Sequence, residues 1–159
     1  MLNVNLICIG NLKEKFFCDA LNEYVKRLSR YCKFTVTELA EEKINDQQTQ
    51  SMIDKTLSKE GERILSKISK GDYVVAMCIE GKGLSSEELA QKLSDISMAS
   101  GTVDFVIGGS WGLSDEVKRR ADFKLSVSKM TFPHQLFRVM LCEQIYRAFS
   151  INANAKYHK

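Results

Sequence analysis

Residues 73–79 (YVVAMCI) run without a charged or amide side chain. A segment this short falls well below the ~20 residues a membrane-spanning helix needs. With no polar face to offer water, and with β-branched residues in it, it reads as a strand buried on both sides, the place of a central strand in a parallel sheet. Parallel strands need crossover connections, and the rest of the chain supplies them. Residues 4–9 form a first strand. Residues 12–30 follow as an amphipathic helix, with Phe17, Leu21, Tyr24, Val25 and Leu28 at helical spacing. Residues 33–39 alternate as a half-buried strand, and 40–46 are a polar connection. Helical period returns over 48–69 through Met52, Ile53, Leu57, Ile64, Leu65 and Ile68, with Gly61 in its interior costing about 1 kcal/mol against alanine.

After residues 73–79, residues 80–83 (EGKG) turn the chain, and Ser85 with Glu88 makes a capping box for a helix to about residue 98. Residues 103–107 form another buried strand. Ser114 caps a short helix to residue 121, residues 123–128 are a further strand, and 135–150 a long helix. A polar tail spans 152–159. Strands alternating with helices predict an α/β fold, a mostly parallel sheet with helices on both faces. At 159 residues, without repeats or linkers, residues 1–159 read as a single domain.

The only proline, Pro133, lies between the last strand and the last helix, where its fixed φ suits a helix start and Thr131 is a candidate cap. Three successive strands then end in loops of ligand-binding character: 80–83, 108–112 (GGSWG) and 128–133 (SKMTFP). Emerging from parallel strands, all three meet on one edge of the sheet, where α/β proteins bind ligands. The first strand lacks G-x-G-x-x-G, and neither a P-loop nor a nucleophile elbow occurs. The site therefore belongs to the carboxyl-terminal half.

Charge follows the same division. Residues 117–159 hold nine Lys/Arg against Asp122 and Glu143, a surplus of +7 that leaves −4 for residues 1–116. That imbalance beside the candidate loops favours a polyanionic partner, nucleic acid foremost. Lys129, His134 and Arg138 are the candidate RNA contacts. The five cysteines form no Cys-x-x-Cys pair, and two histidines are too few for an ordinary zinc set, so neither a disulfide framework nor a metal is expected. The amino-terminal residues have no basic-then-apolar signal, and the expected location is cytoplasmic, with no membrane partner.

Taken together, Gly81-Lys82, residues 106–113 (VIGGSWGL), residues 128–135 (SKMTFPHQ), Tyr146-Arg147-Ala148 and the ending Tyr157-His158-Lys159 resemble the ribosomal RNA large subunit methyltransferase H family. This is a group of small bacterial pseudouridine N3-methyltransferases in the SPOUT, or trefoil-knot, superfamily. The resemblance spans nearly the whole chain. It implies a carboxyl-terminal trefoil knot and a homodimer binding S-adenosyl-L-methionine. It also implies methylation of a pseudouridine in 23S rRNA of the large subunit, in the helix 69 region, on the assembled 70S ribosome. Carried over by position, Met77, Gly108, Val127, Ser128, Lys129, Met130, Thr131 and Phe132 hold the cofactor. Arg147, Tyr157 and His158 form the acceptor site, the tail of one subunit completing the cofactor site of the other. Trp111 is expected as a loop side chain that caps the cofactor pocket or meets the second subunit.

Overall fold

The computed structural model describes residues 1–45 and 48–158, with His158 by its backbone alone. Strands β1 (Asn3–Ile9), β2 (Lys33–Leu39), β3 (Tyr73–Gly83), β4 (Thr102–Ile107) and β5 (Phe123–Ser126) alternate with helices α1 (Lys15–Leu28), α2 (Gln50–Leu65), α3 (Ser86–Ala99), α4 (Asp115–Arg120) and α5 (His134–Asn152). A 3₁₀ turn, Lys156–His158, follows. The five strands lie in the order β2-β1-β4-β3-β5, and every neighbouring pair is parallel.

Period-two alternation in the central strands divides the core into two layers. Val4, Leu6, Val75, Val103 and Phe105 face one side, beneath Leu21 of α1, Leu93 of α3 and Leu141 and Ile145 of α5. Ile7, Val74, Ala76 and Val106 face the other, beneath Ile64 of α2 and Val117 of α4. The run at residues 73–79 is central, as its composition demands: Val74 to Ala76 are at most 1% exposed. Burial pushes the Cys8 and Cys32 thiols up to about 12, so these cysteines serve as core side chains.

Local signals set several boundaries. The Ser85 hydroxyl accepts from the Glu88 amide at 3.1 Å, and the Glu88 carboxylate accepts from the Ser85 amide at 2.7 Å, the reciprocal bonds of a capping box. Ser114 accepts from Val117 N–H at 3.3 Å and opens α4. Gly61 is required by packing: a Cβ there would stand 2.4 Å from Ser114 Oγ, so α2 crosses the start of α4 in near-backbone contact.

Two local expectations are corrected. Residues 80–83 are strand, not turn. β3 bulges after Met77 and resumes beside β5, pairing Lys82 with Leu125 and Gly83 with Ser126. A Cβ on Gly81 would stand 2.6 Å from the Leu125 carbonyl carbon, so the bulge needs a residue without one. Thr131 does not cap α5. Pro133 holds the N-cap position at φ −55, and no side chain bonds the first turn.

α5 starts far from β5. Its Arg138 reaches Gly10 and Glu38, at the ends of β1 and β2, while β5 forms the opposite edge. Residues 127–133 therefore traverse the carboxyl edge of the sheet, past β3 and β4, before α5 descends between α1 and α3.

Candidate functional site

Where residues 127–133 cross that edge, a cavity of about 460 Å³ opens among the ends of β3, β4 and β5. Met77, Ile107, Leu113, Leu125 and Phe137 give it apolar walls. Gly108 shapes its floor: a Cβ there would come within 2.3 Å of the Gly112 carbonyl oxygen. Gly112 takes φ +83 and donates its N–H to Gly109 O at 3.1 Å, a tight turn that carries Ser110 and Trp111 at its tip. The turn is anchored from below. Ser110 Oγ donates to Glu41 at 3.0 Å. The carboxylate of Glu60, 3% exposed and raised above its ordinary pKa by burial, sits beneath Gly109 and accepts from Glu42 N–H.

The crossing segment supplies the other wall. Ser126 Oγ donates to Ser128 O at 2.9 Å, and Met130 N–H donates to Ser128 Oγ at 3.0 Å, which folds the loop over the cavity. Among the described residues, the amides of Lys129, Thr131 and Phe132 have no hydrogen-bond partner. Apolar walls with free peptide donors beside them suit a ligand that combines a flat apolar ring with polar edges and a carboxylate. S-adenosylmethionine has that chemistry, and the glycine floor provides the close backbone approach it needs.

Of the residues expected at the cofactor, Met77, Gly108, Val127, Ser128, Met130, Thr131 and Phe132 all line the cavity. Lys129 belongs to the same loop but is exposed and outside the lining. His134, expected at RNA, lines the cavity at the start of α5. Arg138 is a correction. It is 2% exposed, donates to Glu38 at 2.6 Å and to Gly10 O at 3.1 Å, and ties α5 to the ends of β1 and β2. A guanidinium so enclosed is scaffold, with no face turned to a phosphate.

Arg147 and Tyr157 come together, away from the cavity. Arg147 donates to Glu143 at 2.7 Å and lies 5.1 Å from the Tyr157 ring centroid. The Tyr157 hydroxyl donates to the same Glu143 oxygen at 3.3 Å, and its ring meets Tyr146 edge-on at 4.6 Å. Burial pushes the Tyr157 phenol up to about 12, so at neutral pH it donates a hydrogen bond and does not act as a base. The His158 side chain lies outside the described residues. Arg147 lies thirteen helical steps beyond His134, a rise of about 20 Å, so within one chain the two groups do not share a site.

Sequence reasoning placed Glu80 in the 80–83 ligand loop but missed its partner Lys118, which pairs with it at 2.5 Å in the cavity lining. The clue for Glu80 was its position at the end of a buried run. Lys118 had none, because it sits in a charge-rich helix that reads as solvated. Among the described residues there is no metal-binding cluster of His, Cys, Asp or Glu, and no helix long and apolar enough to cross a membrane.

Comparison with known proteins gives this all-parallel α/β sheet, with its apolar, glycine-floored cavity closed by a carboxyl-terminal crossing segment, its class: the SPOUT methyltransferases. A family model described as "Predicted SPOUT methyltransferase" matches residues 2–158. Proteins named ribosomal RNA large subunit methyltransferase H are similar along the full length: that of Clostridium acetobutylicum is 52% identical, covering 99% of this chain and 100% of its own. That of Clostridioides difficile is 48% identical with the same coverage. A solved structure, a probable methylase family protein from Haemophilus influenzae, superposes with a TM-score of 0.53 at 14% identity, covering 99% of this chain and 70% of that one; it supports the fold alone. The chain belongs to the SPOUT methyltransferase family, in the branch of the ribosomal RNA large subunit methyltransferase H proteins.

Proposed function

We propose that this enzyme methylates N3 of a pseudouridine in the helix 69 region of 23S rRNA, acting in the cytoplasm as a homodimer on the assembled 70S ribosome. The observation that carries this reading is the cavity itself, lined by seven of the expected cofactor residues in a chain about half identical, end to end, to proteins named for large-subunit ribosomal RNA methylation. S-adenosylmethionine supplies the methyl group as an already activated sulfonium electrophile, so the chain's tasks are binding, orientation and charge placement. Met77, Phe132 and Phe137 enclose the apolar part of the ligand, while Gly108 and the free amides of Lys129, Thr131 and Phe132 meet its polar edges. Lys129 and His134, at the mouth, face the RNA.

The acceptor imide must lose a proton. Arg147 stabilises the resulting anion, His158 receives the proton, and Tyr157, which stays protonated, orients the base. Because Arg147, with Tyr157 beside it, stands about 15 Å along α5 from Phe137 in the cavity wall, both serve the cavity of the second subunit. A chain this small has little surface for reading sequence, so target choice rests on the shape of the assembled particle.

The test is transfer of labelled methyl groups to 70S particles, to free 23S rRNA and to subunits, with the modified nucleoside identified by mass spectrometry. Strong labelling of 70S and little of naked RNA is expected. Equal rates on both overturn the ribosome requirement, and no labelling of either overturns the substrate. Wild-type turnover by both Tyr157→Phe and His158→Ala would remove those residues from the acceptor site.

A further inference from the structure

Residues 127–132, Met77 and Gly108 are assigned to the cofactor, whereas Ile79, Glu80, Trp111 and Lys118, which line the same cavity and form its other bank, have no task in that assignment. Four large hydrophobic side chains stand exposed around this opening: Ile79 (63%), Trp111 (38%), Val127 (41%) and Met130 (75%). Val127 and Met130 belong to the cofactor loop. Ile79 and Trp111 belong to the other bank, with the Glu80–Lys118 pair beside them. Four apolar side chains gathered at one opening make a patch of the kind that marks a binding surface, and the Trp111 indole is part of it. Trp111 is also held firmly, at the tip of the Gly109–Gly112 turn that Ser110 ties to Glu41.

A cavity of about 460 Å³ accommodates one ligand of cofactor size. An acceptor base must therefore meet the methyl donor at the rim. A nucleobase taken out of its stack needs apolar surface against its faces and polar groups along its edge. The Ile79–Trp111 bank offers the first, and Lys118 offers a cation for carbonyl oxygens. Resting on the reading of this chain as an RNA methyltransferase, we propose that this bank seats the acceptor pyrimidine, with Trp111 stacked on one face and Lys118 directed at its carbonyl edge.

The Glu80 partner does not obstruct this. Its side chain is 54% exposed, so water replaces Lys118 cheaply when a base arrives. Cys78 on β3, Asp115 on α4 itself and Lys124 on β5 complete the ionisable surroundings of the pair. Trp111 and Lys118 are positioning residues in this arrangement.

Trp111 is the chain's single tryptophan, so its fluorescence reports the seat directly. The experiment measures KM for 70S ribosomes and calorimetric Kd for S-adenosylmethionine in Trp111→Ala, Trp111→Phe, Lys118→Met and Lys118→Arg. It also follows quenching of the wild-type protein by a uridine-containing oligonucleotide in the presence of S-adenosylhomocysteine. Loss of one stacking contact should raise KM about tenfold in Trp111→Ala, and Trp111→Phe should recover most of it. Lys118→Met should raise KM more than Lys118→Arg, and cofactor Kd should stay within about twofold throughout, the spread of a rim contact that does not touch the cofactor. An unchanged KM in Trp111→Ala overturns the proposal. So does loss of cofactor binding, which would make Trp111 part of the cofactor pocket, or dissociation of the dimer, which would make it a subunit contact. Should wild-type enzyme fail on ribosomes, the substrate reading falls separately, and the oligonucleotide raised to millimolar concentration, where mass action replaces the contacts of the assembled particle, still decides the seat: quenching supports it and its absence refutes it.

Discussion

Replacing Arg138 with methionine separates two roles for the same cation. The side chain is 2% exposed and makes two bonds, to Glu38 at 2.6 Å and to Gly10 O at 3.1 Å. Methionine keeps most of the stem and removes both bonds. Breaking a fully buried ion pair costs about 3–5 kcal/mol. Here the abandoned Glu38 is 37% exposed and still accepts from Leu12 N–H at 2.9 Å, so part of its solvation returns. The Gly10 carbonyl, half-buried, loses its charged donor. These terms place the cost at about 2–3 kcal/mol, or a fall in Tm of roughly 5–10 °C for a chain of this size. Arg138→Lys should be destabilised as well, because an ammonium cannot reproduce the planar fork. Urea unfolding gives the stability, and ribosome binding across a salt series gives the electrostatic role. A scaffold residue leaves the slope of log K against log salt unchanged. If Arg138→Met unfolds within about 0.5 kcal/mol of wild type, the range of an ordinary surface substitution, while the slope flattens by about one contact, the guanidinium touches phosphate and the scaffold argument is refuted.

Gly108→Ala should weaken S-adenosylmethionine binding at least about tenfold, as a misplaced binding wall does, because its Cβ would stand 2.3 Å from Gly112 O and force the loop apart; an unchanged calorimetric Kd would refute the cradle. Asp104 gives a pH prediction. It is fully buried, and burial, reinforced by Asp72 and opposed by its bond from Asn5, lifts its carboxyl to about 6. A folded pKa above the unfolded one adds stability at low pH that fades as pH rises through about 6. Asp104→Asn keeps an acceptor for Asn5 and removes the buried charge, so it should stabilise the protein by about 1–3 kcal/mol at pH 8 and change little at pH 4. Equal effects in urea unfolding at both pH values would refute it.

Elements whose reasons are local were legible from sequence. The Ser85–Glu88 box and the Ser114 cap are short-range hydrogen-bond chemistry, and residues 73–79 announce a central strand through their composition. What escaped depends on contacts between distant residues. Residues 80–83 look like a turn because of their glycines, yet Gly81 is there to let β3 pass the backbone of Leu125. Gly61 weakens a helix in isolation, and its purpose appears only when Ser114 packs on it. Arg138 reads as a surface cation on a long helix, and only the fold brings Glu38, a hundred residues earlier, against it. At the site the division is the same. The glycine turn and loop 127–132 carried recognisable residue types, whereas Glu80 and Lys118 become a rim pair only through the packing of α4 on β3.

Helix α5 gives the proposed two-subunit site its physical reason. Its amino end, with His134 and Phe137, closes the cavity, and Arg138 fixes that end to β1 and β2. Its other end holds Arg147 and Tyr157 on Glu143, within a cluster in which Tyr31 lies 5.9 Å from Tyr146 and stacks on Phe149 at 6.2 Å. A rigid helix about 20 Å long between the two ends cannot bend to bring them together. Aromatic packing holds Tyr157 within its own subunit and so fixes where it can be presented. In the proposed dimer, a second copy offering this end of α5 to the first cavity would close the gap. The rigidity that separates the two groups in one subunit is therefore what would hold them in register across two.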